Sequence, residues 1–246
     1  MKNTLSNRMK AYERVYDMAL PGRLPMIIRL DGKAFHAWTK RVACERPFDH
    51  RLMDLMAETA RYLCESISGA VLAYTQSDEI SILVRDDIHH DSESWFGKRV
   101  QKVVSVSAAL ATYYFNAHSP FEVKAPALFD ARVFVVPESD LRNYFIWRQE
   151  DASSNSLSML AQSLYPHHML QFKGAAELQE LCWQKGRNWN HLATMEKRGT
   201  CVYRKIIESV RPMGVARRRK WMIDREIPRF ASSDADDWWN DVLNCQ

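Results

Sequence analysis

Cysteine is scarce and unpatterned in this chain of 246 residues: Cys44, Cys64, Cys182, Cys201 and Cys245 are odd in number and far apart. None forms the short paired spacing of a zinc or dithiol site, so they read as reduced thiols of a cytosolic protein. Glycine (8) and proline (9) are also few, which excludes collagen-like and low-complexity classes, and 46% apolar with 11% aromatic residues excludes disorder. No stretch approaches the roughly 18 uninterrupted apolar residues of a membrane span. The opening segment MKNTLSNRMKAYERVYDM has no apolar signal-peptide core, so neither secretion nor membrane insertion is expected. The motifs G-x-x-x-x-G-K-[ST], G-x-G-x-x-G and H-E-x-x-H are absent as well, leaving the phosphate-loop, dinucleotide and zincin readings without support.

What remains is a globular chain long enough for one substantial core, with no repeat and no convincing linker. We read residues 1–246 as a single catalytic domain, with 196–246 a basic C-terminal extension within it. Net charge is only +4, but residues 196–229 hold 11 basic and 4 acidic residues, so the rest of the chain is slightly acidic. Basicity gathered near one end points to a phosphate-rich partner.

Helical spacing is expected over residues 5–18, 49–67, 94–118, 140–164 and 175–185. Strands are expected over 25–30, 70–76, 80–84 and 132–136, the middle pair joined by a three-residue acidic turn, Ser77-Asp78-Glu79. The last third reads less clearly. Irregular alternation with a hairpin indicates α+β, with an antiparallel or mixed sheet flanked by helices. The acidic, Trp-rich stretch 234–241 has no assigned role; docking onto a neighbour and a frayed tail are both open.

Carboxylates at strand ends carry the chemistry. Asp31 closes an apolar strand, and Asp78-Glu79 sit between two more, so all three can meet at one rim of a sheet. Singly, Asp-Gly and Ser-Asp are ordinary turn formers; jointly, converging carboxylates suit Mg²⁺, which takes oxygen ligands and leaves room for water and phosphates. Arg29 lies two residues before Asp31 on the same strand face. Lys98, Arg99 and Lys102 make a helical patch that either holds a triphosphate or is a solvated face. His89-His90 and His167-His168 lack carboxylate or cysteine companions and read as loop polarity, whereas a nucleotide contact and a structural role are both open for His36. Of eight dispersed tryptophans, most are expected to pack and one or two to stack on bases.

Arg29-Leu30-Asp31-Gly32-Lys33-Ala34-Phe35-His36 resembles the R-x-D-G-x-x-F-H signature of the tRNA-His guanylyltransferase family, the 3′-to-5′ nucleotide-adding enzymes. Tyr74-Thr75-Gln76-Ser77-Asp78-Glu79-Ile80-Ser81 resembles its second signature, Y-x-Q-S-D-E-I-S, and segments around Arg99, Arg132, Arg148 and Arg198 follow in family order. The resemblance implies a core like the palm of polymerases and nucleotide cyclases. By it, Asp31, the carbonyl of Gly32 and Asp78 hold two Mg²⁺ ions, Glu79 supports them, and Asp31, Asp78 and Glu79 are the catalytic acids. It further implies that Asp31, Gly32, Lys33, Ala34, Phe35, His36, Ser77 and Asp78 meet the nucleotide, with GTP and ATP as substrates. Arg29, Arg99, Lys102 and Arg132 then face the triphosphate or the tRNA 5′ end. Arg148, Asn155, Arg198, Arg217, Arg218, Arg219 and Lys220 are expected on the tRNA, in a cytoplasmic homotetramer.

One segment departs from the pattern. Where eukaryotic members carry H-I-N-N-L-Y-N, residues 153–159 read SSNSLSM, matching only at Asn155 and Leu157, with Ser153 in place of the histidine. This resembles the bacterial and archaeal branch, whose members rebuild truncated tRNA 5′ ends against a template. The implied reaction is attack by the 3′-hydroxyl of an incoming nucleoside triphosphate on an activated 5′ phosphate, with pyrophosphate or AMP leaving. The alternatives are a palm-type nucleotidyl cyclase, disfavoured because the Gly-Gly-acid signature of the diguanylate type is missing, and an inert RNA-binding protein built on Arg217–Lys220.

Overall fold

A computed structural model describes residues 4–88, 91–122, 125–211 and 214–244, without the side chains of 208–211, 214–216 and 244. His89, His90 and Cys245 lie outside the described residues.

Strands β1 (Met26–Gly32), β2 (Ala70–Gln76), β3 (Glu79–Val84), β4 (Phe129–Val135), β5 (Thr200–Arg211) and β6 (Gly214–Asp224) form one sheet in the order β4-β1-β3-β2-β5-β6. Every pairing is antiparallel, so of the two sheet types expected it is the antiparallel one that forms. The central strands β2 and β3 are buried on both faces because helices cover both, which explains their near-continuous apolar runs.

Period-two alternation sorts side chains between two cores. Ile28, Leu30, Ile80, Ile82 and Val202 pack on one face with α3 (His50–Ser66) and α4 (Val100–Ala117). Ile27, Leu72, Tyr74, Leu83 and Cys201 pack on the other with α5 (Glu138–Leu164) and α8 (Ala235–Asn244). Local chemistry sets the helix starts: Asp49 caps α3 by accepting from Arg51 N at 3.0 Å, and Glu138 and Asp140 place negative charge in the first turn of α5. Helix α1 (Leu5–Arg14) buries no side chain. Helix α6 (Ala175–Gln184) packs with the C-terminal half of α5, and α7 (Thr194–Arg198) leads into β5. No described helix is long and apolar enough to cross a membrane.

Four local expectations change. The turn between β2 and β3 has two residues, Ser77 and Asp78, because Glu79 already pairs with Gln76 in the ladder. The helix expected from 94 is broken by a 3₁₀ turn, Trp95–Lys98, with Phe96 and Gly97 in the left-handed region. That turn drives Lys98 inside, where Nζ donates to Asp86 Oδ1 (2.9 Å) and the Leu24 carbonyl (2.7 Å), so it leaves the expected basic patch. The unclear last third is a long hairpin: β5 joins the sheet through residues 200–203 opposite β2, and the rest of β5 and β6 continue beyond that pairing as a two-stranded arm. The Trp-rich end is not a frayed tail: it lies in α8, and Trp239 is buried with its ring 5.0 Å from Phe230 and 5.8 Å from Phe145.

Candidate active site

β1 carries Arg29 and Asp31 toward the α5 face, and the register sets Asp31 opposite Glu79 on one side and Asp130 on the other. Asp31 Oδ2 receives Arg29 Nη2 at 3.2 Å and lies 3.4 Å from Arg132 Nη2. Buried Arg29 Nε has no hydrogen-bond partner among the described residues, and Glu79 Oε2 is 3.9 Å away. The end of β1 is sewn to the hairpin turn, Gly32 N donating to the Asp78 carbonyl at 3.1 Å and Lys33 N to that of Leu128 at 2.8 Å.

Ser77 holds the turn at φ +50°, a region costly for a residue with a Cβ, and its hydroxyl donates to Asp78 Oδ1 at 3.1 Å. Burial raises the Asp78 carboxyl above the ordinary range, and the negative charge of Asp31 adds to it. Like charges have thus been brought together. Glu79 is raised by burial too, against the pull of Arg148. Arg148 Nε and Nη2 donate to its two oxygens at 2.8 Å each, and Nη2 also reaches Asp151 at 2.8 Å. Ser81 Oγ adds a bond to Glu79 Oε1 at 3.2 Å and meets Tyr144 Oη at 2.7 Å.

Among the described residues no group of three or more His, Cys, Asp or Glu is arranged to hold a metal by itself. The donor set nevertheless fits Mg²⁺: Asp31 and Asp78 are hard oxygen ligands whose mutual repulsion a cation relieves, and Mg²⁺ ordinarily takes one or two carboxylates and fills the rest of its shell with water and phosphate. The Asp78 carbonyl is already occupied by Gly32 N.

The β1–α2 connection supplies the next residues. Ala34 adopts φ +53°, and α2 (Phe35–Arg41), a helix the sequence reading did not anticipate, begins directly after it. Lys33, Ala34 and His36 are exposed while Phe35 is buried among Trp38, Phe115 and Phe129. A Cβ on Gly32 would stand 2.3 Å from Phe35 Cδ2, so glycine is required here by the aromatic cluster. A cavity of about 510 Å³ lies beside the turn, lined by His36, Ser77 and Asp78 together with Phe48, Met53, Asn155, Met159 and Met195. The cavity wall was not anticipated from sequence; its methionines and the 43–48 loop carry no motif, and only the chain's return on α5 and α7 assembles them. Cys44 also lines it, with its thiol pushed up to about 11 mainly by burial, so it stays protonated at neutral pH.

The remaining expected residues scatter. Arg148, expected on the tRNA, is instead buried in the fold, with Nε and Nη2 bonded to Glu79 and Asp151. Arg99 caps α4 and lies 3.6 Å from Asp17, and Lys102 lies 6.0 Å from the Phe96 ring. Both sit where Lys98 meets Leu24, before β1 begins, roughly 20 Å along the strand from Asp31. Asn155 faces the cavity, while Ser153 turns its hydroxyl back to the Gln149 carbonyl at 2.9 Å. The Arg198 carbonyl accepts from Tyr74 Oη at 2.6 Å. Its guanidinium is made a weaker base first by burial and then by Arg229 nearby. Arg217, Arg218, Arg219 and Lys220 stand exposed along β6 on the arm.

This arrangement has counterparts. A bacterial tRNA(His) guanylyltransferase-like protein in complex with ATP superposes with a TM-score of 0.85 at 40% identity, covering 95% of this chain and 96% of that one. A bacterial protein of the same description in complex with GTP gives 0.78 at 39% identity over 94% and 95%. The tRNA(His) guanylyltransferase of Neurospora crassa is 31% identical over 223 residues, 83% of this chain and 74% of its own length. Residues 6–137 match the family model for tRNAHis guanylyltransferase. With both signatures folded onto one rim and relatives of like fold holding ATP and GTP, the chain belongs to the tRNAHis guanylyltransferase family of nucleotidyltransferases.

Proposed function

We propose that the protein adds nucleotides to the 5′ end of tRNA in the 3′-to-5′ direction, against a template, with GTP and ATP among its substrates. The observation that carries this reading is that Asp78, which lines the 510 Å³ cavity, feels the negative charge of Asp31 at the end of β1. In the proposed step the 3′-oxygen of the incoming nucleoside triphosphate attacks the activated 5′ phosphate. A P–O bond forms, the bond to pyrophosphate or AMP breaks, and the hydroxyl proton is lost to solvent.

Asp31, the carbonyl of Gly32 and Asp78 are the groups that would hold Mg²⁺. When bound, Mg²⁺ lowers the pKa of a hydroxyl and balances charge on phosphates. Glu79, locked by Arg148, keeps the carboxylate rim in place, while Ser77, Gly32 and the 33–36 segment shape the nucleotide side. Arg29, with its unpaired Nε, and Arg132 face the phosphates. Asn155, Arg198 and the exposed cations 217–220 hold the tRNA, within one palm-like domain whose 196–246 portion serves as the RNA-holding extension.

Arg99 and Lys102 stand at the other end of β1 from the acids. A homotetramer, with tRNA laid across subunits, accounts for their part in this reading. Its setting is the cytoplasm.

Incubation with a 5′-triphosphorylated tRNA lacking one nucleotide, offering each NTP separately, tests the proposal. The product is expected to be one nucleotide longer at the 5′ end, with the base matching the opposing one. EDTA, Asp31→Asn and Asp78→Asn should each lower the rate about a thousandfold, as the loss of several kcal/mol of metal stabilisation requires. Near wild-type addition by Asp78→Asn, or a cyclic product formed without RNA, would overturn it.

A further inference from the structure

Trp147 stands half exposed on α5, one residue before buried Arg148, and its ring is held rather than loose. The Arg148 guanidinium carbon lies 4.3 Å from the ring centroid, and Tyr144 meets the indole edge-on at 5.9 Å. Both supports are themselves fixed, Arg148 by Glu79 and Asp151, Tyr144 by Ser81 and by the Phe134 ring at 5.7 Å. A rigid indole with half its surface in water forgoes burial that the second core offers its neighbour Phe145.

Its position gives that exposure a use. Phe134 lies on β4 two residues beyond Arg132, on the same sheet face, and Arg132 pairs across from Arg29. Trp147 therefore flanks the carboxylates on their β1–β4 side, whereas the cavity opens on their Ser77–Asp78 side. Two substrates have to meet at the carboxylates. With a nucleoside triphosphate in the cavity, the second has to approach over β1–β4, where Arg132, Asp130 and Trp147 stand exposed and Asp130 Oδ1 lies 4.0 Å from Arg132 Nη2.

We propose that Trp147 is the stacking platform for the 5′-terminal nucleobase of the RNA, with Arg132 facing the phosphate attached to it. The inference rests on the 5′-addition reading and names the surface that the RNA end occupies. Every nucleobase has a π face, so a free nucleotide offers the same chemistry, and the test separates the two sources.

The experiment compares wild type, Trp147→Ala and Trp147→Phe in two assays. One is steady-state addition to 5′-triphosphorylated truncated tRNA, with KM taken separately for RNA and NTP. The other is RNA binding alone, without NTP. An RNA of the same sequence with an abasic 5′-terminal residue is run beside each. Trp147→Ala is expected to raise the KM for RNA and weaken RNA binding about tenfold, leaving the KM for NTP within about twofold. Trp147→Phe should recover most of both, and on the abasic RNA wild type and Trp147→Ala should coincide. A raised KM for NTP with unchanged KM for RNA assigns the stacked base to the free nucleotide and overturns the proposal. So does a penalty that persists undiminished on abasic RNA, which means that the ring acts only by steadying Arg148. If wild type adds nothing to the 5′ end, the transferase reading falls, and the binding assay still decides the stacking.

Discussion

Arg148 grips Glu79 with two of its forked nitrogens, Nε on Oε1 and Nη2 on Oε2, each at 2.8 Å and both residues about 5% exposed. A buried carboxylate so close to Asp31 and Asp78 is tolerable because its charge is matched and both of its oxygens are bonded. Arg148→Ala removes both bonds and leaves Glu79 only the longer approach of Arg29 Nε at 3.9 Å, so it should cost about 3 kcal/mol of stability in urea unfolding. Arg148→Lys keeps the charge and loses the fork, so it should fall between the two. Equal stability of all three would show that Glu79 does not depend on the pair.

The close approach of Gly32 to Phe35 makes a second prediction. A Cβ 2.3 Å from the ring forces Phe35 to shift inside a cluster where it also meets Trp38 at 5.0 Å and Phe115 at 5.5 Å. Overpacking of this kind costs about 1–3 kcal/mol, so Gly32→Ala should lower Tm by several degrees. Because the same peptide donates to the Asp78 carbonyl, nucleotide addition should fall further than stability alone explains. Pairing Gly32→Ala with Phe35→Leu should restore part of the Tm, measured by thermal melting of the three variants.

These two sites show what the sequence made legible. Arg29, Asp31 and Glu79 were placed together from strand period and turn position, and β1–β3 register brings them to one rim. The reason for Gly32 was not legible: the ring that excludes a Cβ belongs to a helix that begins at Phe35 after a left-handed Ala34, and no periodicity announces that turn. Lys98 reads as surface charge at i, i+1, i+4 spacing, and only the break at Phe96-Gly97 turns it toward Asp86. Trp239 packs, as expected of most tryptophans in this chain, but the acidic neighbours on the outer face of α8 hide from the sequence that this end fills the core.

Asp49 supplies a pH test away from the chemistry. Its side chain is nearly buried and accepts Arg51 Nε at 3.0 Å and Nη2 at 2.7 Å, and mainly that bonding lowers its carboxyl from 3.8 to about 2. A carboxyl with a depressed folded-state pKa adds stability that is complete above the unfolded value and is lost as pH falls through the folded one. Because Arg51 is half exposed, solvent screening reduces the contribution to about 1–2 kcal/mol. Asp49→Asn, which keeps an oxygen to cap α3, should be less stable than wild type by that amount at pH 6. Between pH 4 and 2 the difference should close in acid-dependent unfolding; a gap that stays constant with pH would assign the effect to packing.

The arm makes the last prediction. Beyond residue 203, β5 and β6 pair only with each other, and register sets Lys205 opposite Lys220 and Ile206 opposite Arg219. Successive side chains on β6 point to opposite faces, so Arg218 and Lys220 present charge on one side and Arg219 on the other. No carboxylate forms a described ion pair with these three, which makes them available to a polyanion. Replacing Arg218, Arg219 and Lys220 together by alanine should weaken tRNA binding and reduce the slope of log K against log salt by about 2–3, one phosphate contact for each cation. The KM for NTP should stay at its wild-type value, because the arm is remote from the cavity beside Asp78. A binding curve with an unchanged salt slope would remove the arm from the RNA path and leave the positive charge of 196–229 to solubility.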